Sequence, residues 1–500
     1  MRRGSAAAIV LGALLVALAF LALVPTQAPS RDEVHTAQQV RDRSLSSLVE
    51  AIPDTPDRSP PAYYLAMWAA TPATGGDVVA MRVVSVGAWV LAAALLGSVV
   101  RRHGAGWPAV LAATVAPTAT GLGALGTYAR PYALCFAALC ALLEAWDASL
   151  ARSSRARVVR VLLAGSAAVL LNYLAVLAVG CVLVAELLVR RRDRTRGWGM
   201  TVALAATAWP VVASLPLILG SVDALQDLPR SVTARSFPSW YLSVLGPLVP
   251  GAIVLGMVVG VTWLATRDRS GGAGTGAAPA STGLDLAHPR TQPLLVASGL
   301  LVVVLPSATV AAIWVTSGAY LYRYSIGALA GLAVLVGAVV ARLERWRRWA
   351  AVAGALLVVA SIPLAVHRAS DDRLPASTAE DLSTDLGLES TSDLIAVSDE
   401  YVYVLLREDA PASVSGRTVL GGPATFARLV PTYHLEDIDE PDRDPELPEE
   451  PFVVVADRDE LAAYEASGRI EVLEELGAAH LRYGTTDRTL VAARVASRVP

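Results

Sequence analysis

The chain contains no lysine, so all 41 basic residues among its 500 are arginine. Charge of either sign is scarce, at 17% of residues, while 54% are hydrophobic and the mean hydropathy is +0.50. That balance excludes an ordinary soluble globule of this length and points to a polytopic membrane protein. Cysteine is limited to Cys135, Cys140 and Cys181, each inside an apolar run. No disulfide framework follows, and the three read as small apolar filler in membrane helices. The six histidines are scattered without an HExxH or paired spacing, which leaves a dedicated zinc site without support. A phosphate-cradling Gly-rich loop, a CxxC pair and a GxSxG elbow are all missing, which removes cytosolic ATP use and serine hydrolase chemistry. The residues imply no cofactor, and a divalent metal finds no ligand set. Nothing in them points to a nucleic acid partner.

What charge there is divides the chain. Residues 1–366 hold 16 acids and 29 arginines; residues 367–500 hold 28 acids and 12 arginines. An apolar basic domain, 1–366, therefore precedes an acidic domain, 367–500, with soluble character. Within the latter, SDLIAV, PFVVVA and TLVAAR read as strands and DELAAYEAS as a helix, which makes a small α/β unit. The run EDIDEPDRDPELPEE, 436–450, has a spacing of acids that hints at calcium. It lacks the glycine turn and carries three prolines, so it reads as a solvated linker.

Apolar runs near 5–25, 79–100, 106–125, 131–148, 158–171, 173–189, 198–219, 241–265, 294–316, 324–341 and 349–366 predict about eleven spans. The first reads as a retained anchor rather than a cleaved signal peptide, and the pair around Asn172 is one apolar stretch divided at LLNYLAV. Arg2/Arg3, Arg101/Arg102, RSSRARVVR, RRRDRTR, Arg267/Arg269 and RLERWRR then all fall on one side, the cytoplasmic one. The DEVH loop, the TYARPY turn, the 220–240 loop and the acidic domain face outward. The expectation is a plasma-membrane protein with a cytoplasmic N-terminus and an extracytoplasmic C-terminal domain. Residues 267–292, rich in Gly, Ala and Ser, read as a flexible cytoplasmic loop.

Ionisable groups near membrane depth are costly and mark candidate sites. Four lie on the outward side. Asp32 and Glu33 follow the first span, where a carboxylate can serve as general base or simply belong to a hydrated loop. In DRSPPAYYLAMWAA, 57–70, Pro60 and Pro61 precede a segment too short to span. Its Tyr63, Tyr64, Met67 and Trp68 suit a helix lying at headgroup level. In GTYARPYALCF, Arg130 stands before Pro131 at the opening of a helix, beside Tyr128 and Tyr132. It is placed either to bind a phosphate or to snorkel as a surface arginine. In YLYRYSIGAL, Arg323 opens another helix between Tyr322 and Tyr324. Two arginines at the outer ends of different helices can converge on one anionic group.

The order of these motifs resembles that of the integral-membrane glycosyltransferases of the GT-C superfamily, close to family 39. That group includes protein O-mannosyltransferases and the lipid A aminoarabinose transferase. DE at 32–33, SPPAYY at 59–64, YARPYAL at 128–134, NY at 172–173 and RY at 323–324 occur in the family's order, over about residues 1–366. Ser59, Tyr128 and Asn172 depart from it, standing where the family often has His, Glu and His. The resemblance implies a mainly α, polytopic GT-C-like bundle and an inverting transfer of a sugar from a polyprenyl-phosphate donor. The acceptor is a glycan, lipid or protein of the cell envelope. Asp32 is then the general base and Glu33 orients it or an arginine. Arg130 and Arg323 hold the donor phosphate, and Tyr64, Tyr132 and Tyr324 bind substrate. Mannose and arabinose fit equally, and no residue selects between them.

Two other classes stay open. A lipid-linked sugar transporter or flippase needs ionisable groups at mid-membrane, whereas Glu144, Asp147 and Glu186 fall near the cytoplasmic ends of their runs, and no strong internal repeat stands out. A non-catalytic scaffold of envelope assembly would make the acidic domain the working part and leave Asp32 dispensable.

Overall fold

The computed structural model describes residues 2–26, 30–41, 44–51, 60–75, 77–152, 154–194, 197–216, 218, 236–246, 291–316, 322–346, 348–371, 378–397, 402, 406, 410–420, 451–466, 470–483 and 486–497. The chain divides into two compact units. One comprises Met1–Leu23, Ser59–Thr74 and Ala80–Ala369; the other comprises Val24–Arg58, Gly75–Val79 and Ser370–Pro500.

The helices of the first unit are α1 (Arg2–Leu23), α4 (Pro61–Thr74), α5 (Val78–Arg102), α6 (Trp107–Val115), α7 (Pro131–Ala151), α8 (Arg155–Leu171), α9 (Ala175–Arg192), α10 (Gly199–Ala206), α11 (Trp209–Ala213), α12 (Ser236–Leu245), α13 (Thr291–Thr316), α14 (Ala328–Trp346) and α15 (Arg348–Asp371). The second unit contributes α2 (Arg31–Val40) and α3 (Leu45–Ala51). Four stretches are long and apolar enough to cross a membrane: Gly4–Leu23, Val78–Arg102, Pro131–Ala151 and Thr291–Trp314. The molecule is therefore a multi-pass membrane protein. Helices of that kind do not reach the expected eleven among the described residues.

The departures have local causes. The run 106–125 is not one helix. α6 stops at Val115, and Ala116–Thr127 continues as turns and a short 3-10 segment ahead of Pro131. Pro117 sits at the break, and buried backbone beyond it needs other partners. Thr120 Oγ1 donates to the Pro117 carbonyl at 2.7 Å, Thr127 Oγ1 donates to Ala124 at 2.9 Å, and the Gly121 N–H donates to the Val244 carbonyl of α12. The run 198–219 breaks in the same way at Thr207, between α10 and α11, ahead of Pro210. The run 241–265 lies mostly outside the described residues, and so does the 267–292 loop except for its last two residues.

The core of the first unit centres on Trp89 of α5. Its ring meets Phe20 edge-on at 5.9 Å and Phe136 of α7 at 4.8 Å, and its Nε1 donates to Thr118 Oγ1 at 3.1 Å. Farther along the same two helices, Arg102 pairs with Glu144 and, at 3.0 Å, with Asp147. His103 Nε2 donates to Asp147 Oδ1 at 2.7 Å, and its Nδ1 meets Thr291 Oγ1 at the start of α13 at 3.2 Å. Trp146 Nε1 donates to Glu186 of α9 at 2.9 Å, and Arg192 at the end of α9 donates to Gln292 of α13 at 3.0 Å. These bonds tie α5, α7, α9 and α13 together at one end. The Asp147 side chain is 2% exposed and accepts from both Arg102 and His103, so Asp147→Asn weakens both bonds and leaves Arg102 with Glu144 alone. Because Arg102 stays part-exposed, the loss is expected at about 1–3 kcal/mol, read from thermal or denaturant unfolding in detergent.

α13 and α14 pack closely, and a side chain at Gly331 of α14 would run into the Ser298 backbone carbonyl of α13. Backbone cannot swing aside. Gly331→Ala is expected to destabilise by about 1–3 kcal/mol, measurable in the same unfolding assay.

The C-terminal part of the second unit holds one sheet of five strands: β1 (Ile395–Val397), β2 (Thr418–Leu420), β3 (Phe452–Asp457), β4 (Ile470–Tyr483) and β5 (Thr486–Ser497). Their order is β2-β1-β3-β5-β4; β2, β1 and β3 are parallel, and β5 and β4 form an antiparallel hairpin joined to β3. Phe452, Val454, Val491, Ala493 and Val495 bury one face together with Leu461 of the helix Arg458–Ala466. Nine-residue helix and sheet thus give the α/β unit that its alternating runs predict. The acids of 436–450 lie outside the described residues.

Candidate active site

Each outward motif is positioned by a helix terminus. Arg130 is the N-cap of α7, in extended backbone, with Pro131 filling the first helical position where no N–H is needed. Arg130 is 4% exposed, so it is a buried arginine and not a snorkelling one. Tyr132, one residue into the helix beyond Pro131, is equally buried. The Arg323 guanidinium lies over the Tyr132 ring, 5.3 Å from its centroid, at a cation–π distance. Arg323 itself sits in a 3-10 turn, Tyr322–Ser325, that leads into α14. Two of the sequence motifs, TYARPY and YRYS, therefore meet through Arg323 and Tyr132.

A third joins them. Helices α8 and α9 part at Asn172–Leu174, where the apolar stretch was expected to divide, and Asn172 caps the end of α8. A shallow crevice, too narrow for a water molecule, is lined by Asn172, Tyr324, Cys135, Leu139, Ala178 and Leu305, with their neighbours. It brings the NY corner, the RY corner and the first turns of α7 together.

The SPPAYY segment forms α4 from Pro61, packed on α8. Tyr63 and Tyr64 are fully buried with ring centroids 5.8 Å apart, and Met67 is buried below them. These rings are core residues, which corrects the expectation that they face the headgroups; only Trp68 of the set keeps partial exposure. A tyrosine is amphipathic enough for either place, so composition does not separate them.

Asp32 and Glu33 belong to the second unit. The expected DEVH loop is instead the first turn of α2, begun by Ser30. Glu33 accepts a hydrogen bond from the Ser30 N–H at 2.9 Å, as the acid of an S-x-x-E cap does. Glu33, Thr36, Ala37 and Val40 recur at helical spacing and are all buried, so Glu33 heads the inward stripe of α2. Asp32 precedes it at the second helical position.

One buried charge was not singled out by sequence. Arg82 of α5 is fully buried, as is Ser85 one turn on, whose hydroxyl has no hydrogen-bond partner among the described residues. Trp89 meets Phe136 and, farther on, Arg102 meets Asp147, so α5 and α7 run parallel as neighbours. Arg82 and Trp89 also fall on one helical stripe. A lone arginine four residues inside an apolar run is the signal that could have found it.

Against known proteins, the chain shares the fold of ArnT. Two solved structures of ArnT from Cupriavidus metallidurans align over 97% of this chain and 97% of theirs at 15% identity. In the structure bound to undecaprenyl phosphate the TM-score is 0.54, and in the apo state it is 0.55. No protein-family model and no curated protein sequence matches the chain.

Proposed function

We propose that the chain is a membrane glycosyltransferase that moves a sugar from a polyprenyl-phosphate carrier to a hydroxyl of a cell-envelope acceptor. The observation that carries this reading is the pairing of Arg323 with Tyr132 beside the buried Arg130 cap, at corners of three helices. Burying an arginine, as at Arg130, is expensive, and a phosphate that forms there as leaving group repays it. The similar ArnT structure with undecaprenyl phosphate bound supports a carrier of the same class.

In this reading Asp32 takes the proton of the acceptor hydroxyl as its oxygen attacks the anomeric carbon. The bond from that carbon to the phosphate oxygen breaks on the opposite face, which inverts the centre. Arg130 and Arg323 stabilise the charge that collects on the departing polyprenyl phosphate. Glu33, by holding the Ser30 N–H, fixes the turn that carries Asp32. Tyr132 shelves the Arg323 guanidinium, while Tyr324 shapes the substrate space. The arginine clusters set the cytoplasmic side, so these groups and the acidic 367–500 domain work on the outer face. That domain is then available to the acceptor.

The test is reconstitution of the full chain in liposomes with a panel of polyprenyl-phosphate sugars. Expected are saturable binding and release of free polyprenyl phosphate when a hydroxyl acceptor is supplied. Absence of binding across the panel, by protein shown to be folded, would overturn the reading in favour of a scaffold. Movement of donor between leaflets without bond cleavage would favour a flippase.

A further inference from the structure

Basic residues gather without matching acids where α8, α9 and α10 meet, at the end opposite the NY corner. α8 and α9 are joined at Asn172–Leu174, so the end of α9 returns to where α8 begins; α10 starts after a short turn and packs on both. Between Ala148 and Ala206 the chain holds nine arginines against two acids, Glu186 and Asp193. Glu186 is buried and accepts the Trp146 indole N–H, which leaves Asp193 alone near the surface charges. Around Arg102, by contrast, Glu144 and Asp147 supply the counter-charge. Arg155, Arg160, Arg191 and Arg194 are exposed, and none enters an ion pair among the described residues. Like charges held this close favour an external anion.

Each basic group heads an exposed apolar stripe. On α8, Arg155, Val159 and Leu163 follow one another at every fourth position, and both apolar residues are exposed. On α9, Val184, Leu187 and Leu188 are exposed on the face that Arg191 ends. Trp198 stands in the turn before α10, 60% exposed, with the Arg190 guanidinium 3.3 Å from its ring centroid. That stack orients an amphipathic indole beside the charged ends, as suits a ring at headgroup level. Charge, aromatic ring and hydrocarbon succeed one another in the order found along a phospholipid. A soluble acidic partner matches only the first of the three.

We propose that this end of α8, α9 and α10 binds an anionic phospholipid of the leaflet on that side. Arg155, Arg160, Arg191 and Arg194 take the phosphodiester, Trp198 lies against the ester region, and the acyl chains run along Leu163 and Leu188. A guanidinium presents a fork that matches two phosphate oxygens. A zwitterionic lipid brings its own cation and leaves the excess charge in place, so the site prefers a lipid of net negative charge. The assignment is independent of the sugar-transfer reading.

The experiment places the full chain in nanodiscs of phosphatidylcholine and phosphatidylglycerol at equal mole fraction and counts retained lipids by native mass spectrometry. Thermal unfolding identifies folded variants. The wild type is expected to retain phosphatidylglycerol about tenfold over phosphatidylcholine. Arg155→Gln with Arg191→Gln should lose about tenfold of that preference. Arg342→Gln with Arg348→Gln removes the same charge from another exposed cluster and should change it less than about twofold. Trp198→Ala leaves every charge in place and should weaken retention about threefold. If the wild type shows no preference, the assignment falls. Equal losses in the two double variants would mean that overall charge, not this site, attracts the lipid, and would also overturn it. So would displacement of the lipid by inorganic phosphate at equal concentration, which would mark a bare anion site. Should the first double variant not fold, Trp198→Ala decides alone.

Discussion

Asp32→Asn is expected to reduce sugar transfer by about 10²–10⁴-fold with donor binding within a few-fold of wild type. Asparagine keeps the volume and the hydrogen-bonding reach of aspartate but cannot take a proton from the acceptor. Glu33 provides the contrast. Glu33→Gln keeps an oxygen for the Ser30 N–H and should cost less than about tenfold, whereas Glu33→Ala removes the cap and should cost more. Single-turnover transfer on preloaded donor separates these from binding. Normal turnover in folded Asp32→Asn would remove the general base from the mechanism and return the acid pair to a structural role.

Arg130→Met and Arg323→Met should each lower turnover by about 10²–10³-fold, because each removes a charge aimed at the phosphate as it leaves. Unlike the Asp32 variant, both should also weaken the donor. Arg323→Lys should rescue poorly. A guanidinium plane can lie over the Tyr132 ring and present a fork to phosphate, and an ammonium offers only a point charge. In the proposed mechanism both arginines act on one anion, so the double variant is expected to lose less than the two single losses combined. Equilibrium binding beside pre-steady-state rates checks this. Wild-type donor affinity in both single variants would mean that the phosphate lies elsewhere.

Much of this site is legible in sequence because helix termini write themselves in single residues. Pro131 after Arg130 can only open a helix, and Asn172 supplies the local hydrogen bond that ends one and starts the next. What hydropathy misses is whether an apolar run is continuous. Between 106 and 125 it stays high while threonine hydroxyls replace the helical bonds, so the break is invisible to a composition window. Arg82 hides in the opposite way, since one charge barely lowers the average of α5. In the acidic part, β1, β3 and β5 are seen because their apolar runs are uninterrupted. β4 is not, because Glu471, Glu474 and Glu475 interrupt it and two register shifts spoil its alternation. The first turn of α2 carries its cap in plain sight, at Ser30 and Glu33, but ten polar-rich residues after a span look like a loop.

The bonds that join Arg102, His103, Asp147, Trp146, Glu186, Arg192 and their partners sit at one end of α5, α7, α9 and α13, while the arginine corners sit at the other. Helices fastened at one end behave like the ribs of a fan. A small change of tilt at the fastened end is magnified with distance, and the short non-helical corners at 128–130, 172–174 and 322–325 are where it becomes largest. Under the proposed function, a slight spreading at these corners is enough to admit and release a lipid head, with no helix pair having to separate along its length.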